Sequence, residues 1–145
     1  AEWIHRLKTL PAEKKFPING KALWEEAEET KPYFLKIAIP KIKEDWETLK
    51  HITNEWTKEE ENNTEAWYEN GLVNEKLNHT DIAKMSYEKA IEIDPKNTDA
   101  LFKIAIIMHS EGNTSQVKNI KTKLNELHPA KAAELDEIIT CKKDC

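Results

Sequence analysis

At a spacing of 34 residues the stretch from Thr64 to Pro129 superimposes on itself: Trp67 falls on Leu101, Gly71 on Ala105, Ala90 on Leu124 and Pro95 on Pro129. A fixed period of this length constrains a chain strongly. Each period is one supersecondary unit that cannot bury its apolar face alone and must stack on a neighbour. The expected product is a binding surface rather than a reaction site.

Turn chemistry points to the same class. Strand-rich domains need more turn glycine than the 3 Gly in these 145 residues, and the Glu, Lys, Leu, Ile and Ala content favours helix, so the fold class expected is all-α. The length suits a single globular unit with a real core. The net charge of −5 arises from 22 basic and 27 acidic residues interspersed along most segments. Nucleic acid is not expected as a partner, because phosphate binding needs a concentrated basic face. The Glu59-Glu60-Glu61 run reads as a solvated loop or a helix start. No apolar run reaches the ~18–20 residues of a membrane span. Localisation is unknown from the sequence, and a start at Ala1 without Met is compatible with a mature exported protein or an excised domain.

Along the chain, Trp3, Ile4, Leu7 and Leu10 share one face of a short helix that Pro11 stops, and a loop with Pro17, Asn19 and Gly20 follows. A second helix is expected over Lys21–Glu29. Thr30 can cap a third, with Pro32 in its first turn, where the missing N–H has no partner anyway. Its apolar positions run through Phe34, Ile37, Ala38, Ile42, Trp46, Leu49, Ile52 and Trp56. That register survives Pro40 and predicts one long kinked helix, with a break at Ile39-Pro40 as the alternative. Shifting the repeat back by 34 puts Pro40 inside a helix and Thr53 and Trp56 where a bulky and a small residue belong. Residues 1–61 therefore read as a separate helical cap packing on repeats at 64–97 and 98–131, within residues 62–145.

Thr64-Glu-Ala-Trp-Tyr-Glu-Asn-Gly71, followed by Ala83, Tyr87, Ala90 and Pro95, resembles the tetratricopeptide repeat signature W-x2-L-G-x2-Y, A-x3-F and P. Trp67, Gly71, Ala83, Tyr87, Ala90 and Pro95 match it, while Asn70 and Asn74 depart. The second copy keeps apolar or small residues at Leu101, Ile104, Ala105, Met108, Val117 and Leu124, with Lys121 in the aromatic position. Leu135, Ile138 and Ile139 resemble the family's final solvating helix.

This resemblance implies a short α-solenoid of two helix-turn-helix repeats, a C-terminal solvating helix and the N-terminal cap. Gly71 and Ala83 would let the paired helices approach, Trp67 and Tyr87 would fill either side of the crossing, and Ala90 would leave room for the next unit. Pro95 and Pro129 would end the second helices, with Asn97 or Thr98 and then Thr114 or Ser115 as caps. All are packing positions. Function is implied on the first helix of each pair, at Tyr68, Leu72, Glu75 and Lys76, then Phe102, Lys103, Ile106 and His109. The implied function is a protein–protein interaction module or scaffold taking a partner's peptide in that groove. Alternatives are a self-associating module, including a homodimer through the same apolar row, or an accessory subunit of a larger complex. Tyr68 and Leu72 stand where the family's carboxylate-clamping residues would be, so chaperone tails are not the expected ligand.

Enzyme activity, cofactors and metals are not expected. His5, His51, His79, His109 and His128 are scattered, without the HExxH spacing. Three glycines cannot build a phosphate loop. Cys141 and Cys145 form no CxxC motif, and read as a free or incidental pair. The N-x-S/T sequences at Asn62, Asn78 and Asn113 occur in an Asn- and Thr-rich chain and are uninformative.

Overall fold

Three residues with positive φ mark the period in the backbone. Glu44 (φ 54°), Asn78 (φ 62°) and Gly112 (φ 78°) occupy the turns before three alternate helices. They are 34 residues apart. This left-handed conformation reverses the chain within three or four residues, and glycine adopts it without the steric cost that other residues bear.

The computed structural model describes residues 31–140. The helices expected over Ala1–Leu10 and Lys21–Glu29, Thr30 and the Cys141/Cys145 pair lie outside the described residues. Eight helices are present among those described: α1 (Tyr33–Lys36), α2 (Ala38–Ile42), α3 (Trp46–Glu59), α4 (Thr64–Lys76), α5 (Thr80–Ile93), α6 (Thr98–Ser110), α7 (Thr114–Leu127) and α8 (Pro129–Thr140). The chain divides into two compact units, Ala1–Ile52 and Thr53–Cys145.

In the first unit the long kinked helix expected across Pro40 is instead interrupted twice. Pro40 sits inside α2, near its start, and the sharp reversal comes at Glu44. Asp45 then caps α3: Thr48 donates to its carboxylate through its backbone N–H (3.3 Å) and its hydroxyl (2.7 Å). These hydrogen bonds hold the Asp45 carboxyl below its ordinary pKa.

The N-terminal half was expected to lack the repeat. Its side chains do depart at Pro40, Thr53 and Trp56, but its backbone keeps the period. Helices α3, α5 and α7 begin and end at 34-residue intervals. Buried positions recur with them: Ile37, Gly71 and Ala105, then Leu49, Ala83 and Val117. The backbone turn therefore persists one period farther than the signature residues that advertise it.

In the second unit α4 packs on α5, α5 on α6, α6 on α7, and α8 closes the stack against both α6 and α7. One core cluster gathers Ala83, Tyr87, Ile104 and Ile107 from α5 and α6, with Tyr68 and Leu72 of α4 packed against it. A second gathers Leu101, Ala105, Leu124, Ala132 and Leu135, with Phe102, Ile106 and Ile139 at its margin. Each fully buried leucine here contributes about 1.5–3 kcal/mol by leaving water. Leu135 and Ala132 give α8 the place expected of a solvating helix, while Ile138 stays exposed.

Asparagines start the helices. The side chains of Asn63, Asn97 and Asn113 accept from the backbone N–H of Glu65, Ala100 and Gln116. The cap of α7 is thus Asn113, one residue before the expected Thr114 or Ser115. Asn97 also donates to the Thr64 hydroxyl (2.8 Å), which donates in turn to the Ala90 carbonyl (2.9 Å). One chain of bonds satisfies a carbonyl in the last turn of α5 and ties it to the starts of α4 and α6.

Candidate functional site

The expected binding row does not form a single patch. Tyr68 and Leu72 on α4 are half-buried against the Tyr87 cluster, whereas Phe102 and Ile106 on α6 pack beside Ala132 and Leu135 of α8. Lys76 and His109 are exposed. His109 lies on a separate cavity of about 590 Å³, with Val117, Lys118, Lys121, Asp136 and Ile139 among its walls.

Glu75 joins the two helices. Its carboxylate accepts a hydrogen bond of 2.6 Å from the Tyr87 hydroxyl and lies 3.8 Å from the Lys103 ammonium of α6. The Tyr87 and Tyr68 rings are 5.9 Å apart and tilted by 44°, within the range of favourable aromatic contact. Burial raises the Tyr87 hydroxyl far above its ordinary pKa, and the bond to Glu75 adds to the shift. Tyr68 is pushed up to about 12, first by burial and then by the carboxylates of Asp99, Glu69, Glu65 and Glu75. Both phenols are therefore neutral hydrogen-bonding groups at physiological pH. The arrangement sets apolar side chains beside a charged pair fixed by the fold.

Trp67 differs from its expected role. It is not in the buried core; its indole N–H donates to the Glu61 carbonyl (2.9 Å), and its ring lines an open groove of about 470 Å³ with Asn54, Thr57, Lys58 and Lys89. The space beside the crossing is filled by Tyr87 alone, which is fully buried under Gly71.

A second groove, of about 310 Å³, lies one period further on, where Glu88, Ile91, Leu101 and Lys123 replace Asn54, Thr57, Trp67 and Lys89. Its floor and walls also include Ile104, Met108 and Ile120. The matching positions in the preceding repeat are Asn70, Asn74 and Ser86, all buried. These form a polar network: Asn70 Nδ2 donates to Thr53 (3.0 Å) and Asn54 (2.9 Å), Ser86 lies 2.9 Å from Asn70 Oδ1, and Asn74 Nδ2 donates to the Asn70 carbonyl (2.8 Å). Asn74 Oδ1 and His79 Nδ1 are buried without a partner among the described residues. The two departures from the signature, Asn70 and Asn74, thus place a buried polar network where the next repeat has the apolar Ile104 and Met108. Comparing the repeats position by position carries that signal, whereas matching each to a consensus does not.

Among the described residues, no group of three or more His, Cys, Asp or Glu side chains is placed to hold a metal ion. No described helix is long and apolar enough to cross a membrane. No curated protein matches the chain. A tetratricopeptide repeat family model matches residues 86–118, which run from within α5 through α6 into the first turns of α7. That repeat is typically a non-catalytic protein-interaction unit. Residues 86–118 are thus similar to a tetratricopeptide repeat and lie within consecutive packed helices on a 34-residue period, which supports a protein-interaction role in general.

Proposed function

We propose that the chain is a protein-interaction module or scaffold that takes a peptide segment of a partner protein across the exposed side of α4 and α6. The observation that carries this reading is the Glu75 carboxylate, held between the Tyr87 hydroxyl and the Lys103 ammonium beside half-buried Tyr68 and Leu72. A polar pair already fixed by the fold loses little freedom on binding. Tyr68 and Leu72 supply apolar contact, Glu75 and Lys103 meet polar groups of the peptide, and Phe102 and Ile106 offer a second apolar contact beside α8. Lys76 is exposed on α4, and His109 lies apart on its own cavity. So short a surface supports transient binding of about micromolar strength, near −8 kcal/mol.

The test begins with proteins captured by the full chain from its native source. The interacting peptide is then titrated against the wild type and a Tyr68→Ala/Phe102→Ala double variant. The variant is expected to bind at least about tenfold more weakly, a loss of about 1.4 kcal/mol. Equal affinity in a folded double variant would remove this face from the function.

A further inference from the structure

The groove walled by α5 and α7 and floored by α6 is apolar at its base and carries one charge on each wall, Glu88 on α5 and Lys123 on α7. The crest beside it is unusual for a solvated helix. Met85, one turn before Glu88, is 68% exposed. Methionine is flexible and fills irregular apolar gaps well. The same surface therefore carries a protruding apolar knob, an apolar hollow, and two charges of opposite sign across that hollow.

We propose that this face pairs with a second copy of the chain about a two-fold axis. A two-fold interface must be self-complementary, so that each residue meets its counterpart's partner twice. Here the axis runs along the groove, so that Glu88 of each copy faces Lys123 of the other and Met85 of each copy packs over the α7 wall of the other's groove. Charge complementarity selects a second copy as the occupant, because rotation about the axis brings the acidic wall onto the basic one. The preceding groove cannot serve in the same way, since Thr57, Asn54, Lys58 and Lys89 make its lining polar. This contact uses the side of α5 and α7, and leaves Tyr68 and Glu75 outside it.

The test is sedimentation of the full chain across about 5 to 500 µM, the range in which an interface of this size would exchange between free and paired forms. The wild type is expected to double its mass as concentration rises. Glu88→Lys and Lys123→Glu should each weaken association about tenfold or more, because like charges then face each other twice. Mixing the two single variants restores both opposite-charge pairs and should recover wild-type association, a result that misfolding of either variant could not give. A wild type that stays monomeric over the whole range overturns the proposal. So does association that survives Met85→Glu, or two single variants that remain separate when mixed.

Discussion

A Cβ added to Gly71 would lie 2.5 Å from Cε1 of Tyr87 and 2.7 Å from its Cδ1, closer than non-bonded carbons can approach. Tyr87 cannot swing aside, since its ring is fully buried and its hydroxyl is tied to Glu75. Gly71→Ala should therefore destabilise the chain by about 1–3 kcal/mol through overpacking. Denaturant midpoints check this, with a control: in a Tyr87→Leu background the cost of Gly71→Ala should shrink, because the clashing ring is gone. Equal costs in both backgrounds would show that the ring is not the cause.

The turns give a paired prediction. Gly112 adopts φ +78° with open space where a Cβ would point, so Gly112→Ala should cost only the backbone penalty, about 1 kcal/mol. Glu44 holds the same place two periods earlier at φ 54°, and Glu44→Gly should gain up to about 1 kcal/mol by relieving it. Thermal unfolding of both variants reads the two signs. Loss of stability on Glu44→Gly would mean that flexibility gained by the unfolded chain outweighs the relieved strain.

Much of the fold was legible because packing positions recur. Ala83, Ala90 and Leu124 are each fully buried where the period requires a core residue, and Pro95 stops α5 as expected. Trp67 was misplaced because a consensus position states a residue type, while its burial depends on the neighbouring helix. Thr57 and Lys89 leave its ring lining an open groove. The persistence of the period before residue 64 was illegible for a related reason. Glycine advertises a left-handed turn at Gly112, but Glu44 adopts the same conformation without any such mark. The apolar groove was hidden by the packing code itself, which assigns Leu101, Ile104 and Met108 to the core and does not show that they also line an opening.

The two phenols make stability fall at alkaline pH. Tyr68 rises from an ordinary value of 10.0 to about 12 in the fold, so between those values the unfolded chain has lost the proton that the native chain keeps. Deprotonation then favours the unfolded state: the contribution is intact below pH 10, declines above it, and is lost by the folded value near 12. Tyr87 acts in the same direction. Tyr68→Phe should flatten the decline between pH 10 and 12 relative to the wild type. An identical slope would show that Tyr68 does not contribute to it.

The polar network predicts coupling that single substitutions conceal. Asn70→Ile alone removes the donor to Thr53 and Asn54 and the acceptor beside Ser86 and Asn74. Of the groups left behind, Thr53, Asn74 and Ser86 are buried, so this variant should lose about 1–3 kcal/mol for each of these that is stranded. Changing all three positions together, Asn70→Ile, Asn74→Met and Ser86→Ile, copies the apolar set Ile104, Met108 and Ile120 found one period later. It also eliminates the partnerless Asn74 Oδ1. The triple variant should be more stable than the sum of its single variants by about 1–3 kcal/mol, since of the buried groups only the Thr53 hydroxyl then loses a partner, and the Asn74 amide and Ser86 hydroxyl are no longer stranded. Denaturant unfolding of the four proteins measures this. Simple additivity would mean that the three side chains act separately rather than as one cooperative network.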